Sequence, residues 1–221
     1  HYHIQDGGKV VNVVPDYSKI WVRVRDTKRS GMKPVYERVV KMAEGAAILA
    51  NVDYKVSLIS GIYEVLVNRT GGELLQKNLE LLGPINYTEE EIRFAKEIQA
   101  STGKSQLGID GTIKPMRETL ENPGGGSTDV GDVSWNVPNI NLGVTTAPID
   151  TPWHSWAVVA CGGMSIGHKG TIYAAKAMAI TMSDLYKDEK LIKNITKEYL
   201  QRKGDEKYEA MIDGPAPIND N

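Results

Sequence analysis

Two of the four histidines stand where a side chain could do chemistry. His154 lies in Thr151-Pro152-Trp153-His154-Ser155-Trp156, a loop that one proline and two tryptophans would stiffen. A histidine held in a stiff loop near strand ends suits a metal ligand or an acid–base group. The alternative is a structural histidine, hydrogen-bonded between the two tryptophans. His168 precedes Lys169 and Gly170 and opens a predicted helix, where the N-terminus favours anions and a neutral imidazole. A capping or packing role fits His168 equally well. Gly124-Gly125-Gly126-Ser127-Thr128-Asp129 is a glycine-rich turn ending in three polar side chains. Backbone amides freed by glycine can cradle a carboxylate or phosphate, although most glycine runs are simply flexible and no lysine follows to make a phosphate loop. Asn12, before a Pro15 turn, and Arg25, in an alternating strand, could together clamp a carboxylate, which suits the two-pronged guanidinium. Strand arginines are more often merely solvated. Cys161 lies in an apolar run and reads as core rather than nucleophile. Neither a GxSxG nor an HExxH motif occurs.

These residues need elements to position them. Residues 18–26, SKIWVRVRD, alternate strictly, with Ile20, Val22 and Val24 on one face, which predicts a half-buried strand. His1 to Ile4 reads as another. From about Lys33 to Ala50, Met32, Val35, Val39, Met42, Ala46 and Leu49 recur at helical spacing, and Val22 and Val24 are expected to pack on that stripe. Tyr54 to Leu58 alternates again, so residues 1–66 read β-β-α-β, most of a small α+β sandwich. Beyond it, residues 70–82 predict a helix. Thr88-Glu89-Glu90-Glu91 is a capping-box signature for a helix running to about Ala100. Residues 101–126 read as a long loop, of the kind that is often functional. Residues 138–145 and 157–161 are strand candidates. Residues 170–186 and 188–202 are helix candidates, and the chain closes on a loop.

The chain has 221 residues, 41% hydrophobic and 24% charged, with a formal net charge of −2. That balance implies no broad basic surface for nucleic acid. No apolar run has the length of a membrane span. With one cysteine, no internal disulfide is expected. The expected compartment is the cytoplasm, and a single cysteine is compatible with the periplasm as well. The chain opens on His1 inside a strand-like run, which leads us to expect a fragment or a processed product.

Taken in order, the motifs resemble one family. GGKVVNVVPD followed by a strand ending in Arg25 is similar to the lid of dinuclear metallopeptidases. STDVGDVSWNVP, TPWHSW and GHKG resemble the p-aminobenzoyl-glutamate hydrolase branch of the aminoacylase and carboxypeptidase-type enzymes, and the likeness covers nearly the whole chain. The resemblance implies an α/β, zinc-peptidase-like catalytic domain, of which residues 67–221 would be the carboxy-terminal part. It also implies an inserted α+β ferredoxin-like lid or dimerisation domain, of which residues 1–66 would be a portion. By that resemblance His154 matches a metal ligand. Asn12 and Arg25 match lid residues that meet the substrate's carboxylate, often from a partner subunit. Ser127, Thr128 and Asp129 match a substrate-contacting turn, and His168 matches a branch-specific position grouped with them.

The activity that the resemblance implies is hydrolysis of the amide bond in an N-acyl or N-aroyl amino acid such as p-aminobenzoyl-glutamate. Two divalent ions, zinc or manganese, would lower the pKa of a bound water and polarise the amide carbonyl. The other metal ligands and the glutamate base that the family uses have no counterpart in this chain, so the isolated chain is expected to be inactive. A homodimer through the lid, or a heterodimer with a related subunit, is the expected assembly. The alternative is a non-catalytic dimerisation or binding module, or an inactive subunit.

Overall fold

A computed structural model describes residues 1–117, 126–212 and 214. The chain divides into two compact units. Of the described residues, one comprises 1–65, 126–135, 207–212 and 214, and the other 66–117 and 136–206. The first break in sequence, at Val65 and Leu66, falls one residue before the expected one. Residues 126–135, 207–212 and 214, expected with the second domain, group with the first unit.

The first unit begins with a hairpin of β1 (Tyr2–Asp6) and β2 (Lys19–Val22). The strands pair antiparallel, Tyr2 opposite Val22 and Ile4 opposite Ile20, with an irregularity between Ile4 and Asp6. The backbone N–H of Arg23 closes the open end on the His1 carbonyl at 2.8 Å. Helix α1 (Arg29–Ala50) follows and ends at Asn51, whose φ of 52° is left-handed, a conformation asparagine tolerates at helix ends. Two expectations fail here. Both strands are exposed along their length, and Val22, Val35 and Met42 stay 43%, 43% and 61% exposed, so Val22 is not buried on the α1 stripe as expected; Val24 lies beyond β2 and is half-buried. The buried alanine of α1 is Ala47, not Ala46. The predicted strand at 54–58 is irregular; alternation supplies a face, but a strand also needs a neighbour to bond.

What this unit buries is an aromatic and polar knot instead. Helix α4 (Val130–Ser134) brings Trp135 against Tyr63, with ring centroids 5.0 Å apart. Trp135 donates its indole N–H to the Glu64 carbonyl at 2.9 Å. The Arg29 guanidinium stacks on Tyr63 at 4.0 Å and donates to the Glu209 carbonyl. Tyr208 donates its hydroxyl to Asp132 at 3.0 Å. Gly131 is required, since a Cβ there would sit 2.0 Å from the Tyr63 carbonyl oxygen.

Among the described residues the second unit is helical and irregular, with no strand. Its helices are α2 (Arg69–Leu82), α3 (Glu89–Ser101), α5 (Trp156–Gly162), α6 (Ser165–Lys187) and α7 (Glu189–Lys203). Helix α6 is the hub and packs on α2, α5 and α7. Asn68 caps α2 by accepting from the Gly71 N–H at 2.9 Å, and its amide donates to the Ile195 carbonyl of α7. The Glu198 carboxylate of α7 accepts the next two free N–H groups, Arg69 at 3.0 Å and Thr70 at 2.7 Å. The helices predicted at 70–82, 170–186 and 188–202 are present. The capping box forms as expected, with Thr88 and Glu91 bonded reciprocally.

The strand predicted at 157–161 is the helix α5. A five-residue apolar run carries too little period to separate the two. Its two fully buried residues, Ala157 and Cys161, are four apart and share one helical face against Ile98. Residues 138–145 are likewise irregular rather than strand. No helix of the described residues is long and apolar enough to cross a membrane.

Candidate functional site

The His154 loop is tied down from below by one buried side chain. Gln99, fully buried in α3, donates its amide to the Gly108 carbonyl at 3.1 Å and to the Ile149 carbonyl at 2.9 Å, and accepts from the Gly108 N–H at 2.8 Å. The Ile149 N–H then returns to the Gly108 carbonyl at 3.1 Å. From that anchor the chain makes two tight turns. Thr151 donates its hydroxyl to the Pro148 carbonyl at 2.7 Å, and Ser155 donates to the Pro152 carbonyl at 2.6 Å. Two residues adopt positive φ, Asp150 at 59° and His154 at 61°, a region uncommon for side-chain-bearing residues. His154 is exposed, and Trp153 and Trp156 remain 69% and 57% exposed. The histidine is therefore not buried between its tryptophans. The stiffness comes from backbone-directed hydroxyls and Gln99 more than from the two indoles.

A second anchor comes from the GHKG segment at the start of α6. Gly170 lies so close to the preceding strap that a Cβ would meet the Thr145 carbonyl oxygen at 2.5 Å. Gly167 is equally constrained by the Cys161 and Gly162 carbonyls of α5, at 2.7 and 2.6 Å. Lys169 bonds Glu91 at 2.6 Å and the Asn86 carbonyl at 2.9 Å. Burial works to raise the Glu91 carboxyl. Bonds from Lys169, the Thr88 backbone and Ser165, with the Lys169 charge, outweigh it and hold the group at about 2. Burial, then the Glu91 and Asp110 charges, push neighbouring Tyr87 up to about 12. Burial also raises the Cys161 thiol, which accords with its reading as core. His168, between these anchoring residues, is exposed in the first turn of α6 and its side chain takes no part in the anchoring.

The other expected site residues fall in the first unit. Asn12 is exposed in the 7–18 loop at one end of the hairpin. Arg25 is exposed beyond the other end, past the His1–Arg23 closure, and outside the strand. Ser127, Thr128 and Asp129 are exposed and lead into α4. Thr128 accepts the Val130 N–H at 3.3 Å and donates towards Asp129 at 3.5 Å. Gly124 and Gly125 lie outside the described residues. Sequence reasoning missed the second half of this motif: Gly131, Asp132, Ser134 and Trp135 build the knot around Tyr63. The small–small–aromatic order of VGDVSW was the available signal.

Zinc takes three or four protein ligands. Among the described residues no three His, Cys, Asp or Glu side chains come together to hold a metal ion. His154 is therefore not part of a three-ligand metal centre among the described residues.

No protein-family model matches the chain. It is similar to a curated protein of Escherichia coli (strain K12), a subunit of p-aminobenzoyl-glutamate hydrolase, at 30% identity over 237 aligned residues. The alignment takes in 96% of this chain and 49% of that protein, so the chain spans about half the length of the relative it matches.

Proposed function

From the premise that the chain belongs to the p-aminobenzoyl-glutamate hydrolase family, we propose that it is part of an enzyme that hydrolyses the amide bond of N-aroyl or N-acyl amino acids. The single observation carrying this reading is the alignment, which runs through nearly the entire chain rather than through one motif. In the proposal the complete protein has an α/β, zinc-peptidase-like catalytic domain and a lid, holds two divalent ions, and works in the cytoplasm. In the same proposal the remaining metal ligands and the general base come from residues outside this chain, because its described residues gather no group of three His, Cys, Asp or Glu side chains that could hold an ion.

This chain's own residues then have separable tasks. Arg25 presents a charged fork to the substrate's carboxylate, and Asn12 presents an amide that can donate to the same group. Ser127 and Thr128 offer hydroxyl donors on an exposed turn. His154 offers an imidazole nitrogen from a loop fixed by Gln99. The relative is named a subunit, which supports an assembly with a second chain, either a copy or a related subunit.

The experiment is hydrolysis of p-aminobenzoyl-glutamate by the product of the complete reading frame, followed through released p-aminobenzoate, with metal content measured alongside. Release that stops on chelation and returns with zinc or manganese is expected. Intact substrate after prolonged incubation with metal-replete protein would remove the reading.

A further inference from the structure

Beside the His154 loop lies an open groove of about 530 Å³, entirely within the second unit. It is lined by residues 144–148 together with Lys104, Asp150, Thr151 and Trp153. That volume is in the range of small-molecule sites. Three features set it apart from a surface crease. The Trp153 indole is 69% exposed, a large flat apolar face left in water on a loop that is otherwise tightly bonded. Part of its lining is tied down, since Thr151 bonds the carbonyl of Pro148 and Gln99 bonds that of Ile149, between lining residues Pro148 and Asp150. Asp150 is held at φ 59°, and strained conformations of this kind gather at binding sites. Its carboxylate is an acceptor for N–H groups and cannot donate when ionised.

We propose that this groove is the subsite for the aromatic acyl arm of the substrate. The indole of Trp153 stacks on the aryl ring, and the Asp150 carboxylate accepts an N–H from a ring amine. The inference deepens the hydrolase reading and rests on it for the substrate class. It assigns Trp153 as the residue that separates aroyl from aliphatic acyl groups.

The test uses neutral probes, so that no carboxylate interaction with Lys104 intrudes. p-Aminobenzamide, benzamide and cyclohexanecarboxamide are titrated into the chain and its variants by NMR, with circular dichroism confirming the fold of each. p-Aminobenzamide should bind, and the saturated amide should bind more weakly. Trp153→Leu should weaken the aryl amides about three- to tenfold, the scale of one aromatic pair, and Trp153→Phe should restore most of the loss. Asp150→Gly, which tolerates the positive φ, should weaken p-aminobenzamide and spare benzamide. No binding by the unaltered chain, equal binding of the saturated amide, or indifference to Trp153→Leu would overturn the subsite. Equal losses for both aryl amides in Asp150→Gly would overturn the amine contact. Trp153-dependent binding in a protein that hydrolyses nothing would leave the subsite standing and remove the hydrolase reading. Hydrolysis with Trp153-independent binding would do the reverse.

Discussion

The Lys169 ammonium lies 2.6 Å from Oε2 of Glu91, and the same oxygen accepts the backbone N–H of Thr88 at 2.7 Å. One carboxylate oxygen thus completes the capping box of α3 and fastens α6 to it. Lys169→Met removes the ion pair and leaves Glu91, 6% exposed, with fewer partners. Bonds to charged groups contribute about 1.5–3 kcal/mol, and the partial exposure of Lys169 places the loss at the lower end. A fall in melting temperature of roughly 3–6 °C is expected for a chain of this size, read by circular dichroism. An unchanged melting curve would mean that the pair is solvated in solution.

The same carboxylate makes stability depend on acid. Glu91 and Glu198 are each held at about 2 against an ordinary 4.5. For Glu198, burial works upward, and bonds from the Thr70 side chain and backbone, the Arg69 backbone and Arg202 outweigh it. A depressed carboxyl contributes stability above its unfolded pKa and loses it as pH falls through the folded one. The urea midpoint should therefore be steady above about pH 5 and fall from about 4.5 towards 2. Glu198→Gln should lower the midpoint at pH 7 and flatten part of that acid slope. A slope identical in variant and parent would contradict the assignment.

How much of this was legible in the sequence depends on how local the cause was. The Thr88–Glu91 capping box is a four-residue device and was readable outright. The stripe from Met32 to Leu49 gave the helix α1 but not its packing, because what a stripe faces is a tertiary fact. Residues 54–58 and 138–145 alternate like strands, yet no neighbouring strand is present to bond them among the described residues. For Ala157 to Cys161, the spacing of its buried residues, visible only once α3 is in place, decides for helix. In the site, His154 could be singled out by its stiff loop. The agent of that stiffness, Gln99, lies on another element, fifty residues before the Ile149 that it bonds, and nothing local to either segment signals the bond.

Two glycine substitutions separate packing from propensity. Gly170→Ala drives a methyl to within 2.5 Å of the Thr145 carbonyl oxygen and 2.8 Å of Thr146 Cγ2. Overpacking of that kind costs about 1–3 kcal/mol. Gly45→Ala, in the middle of α1, meets nothing within 4 Å and should stabilise by up to about 1 kcal/mol through helix propensity. Chemical denaturation of the two variants should therefore shift in opposite directions. Shifts of the same sign would show that the strap at 145–146 moves freely away from α6.

Arg25 is exposed between β2 and α1, so its removal should touch binding more than folding. In the complete enzyme, Arg25→Ala should raise KM for p-aminobenzoyl-glutamate tenfold or more, since a charge-assisted bond contributes about 1.5–3 kcal/mol. The turnover number should change far less. Steady-state kinetics with unaltered KM and a lowered melting temperature would assign Arg25 to a structural role.

His154 calls for two variants, because its φ of 61° complicates the obvious one. Histidine already carries a Cβ in this left-handed conformation, but alanine populates it less readily than His, Asn or Asp, so His154→Ala perturbs the loop as well as removing the imidazole. Asparagine tolerates that conformation, keeps a polar side chain and lacks the imidazole. If His154 is a ligand, both variants of the complete enzyme should lose metal and activity together. His154→Asn should do so with its melting temperature near that of the parent once metal is removed from both. Near-full metal content and turnover in His154→Asn, with loss confined to His154→Ala, would identify the histidine as a turn residue. Measuring metal by mass spectrometry on dialysed protein keeps this readout independent of substrate, and so independent of whether the acyl specificity proposed for Trp153 is right.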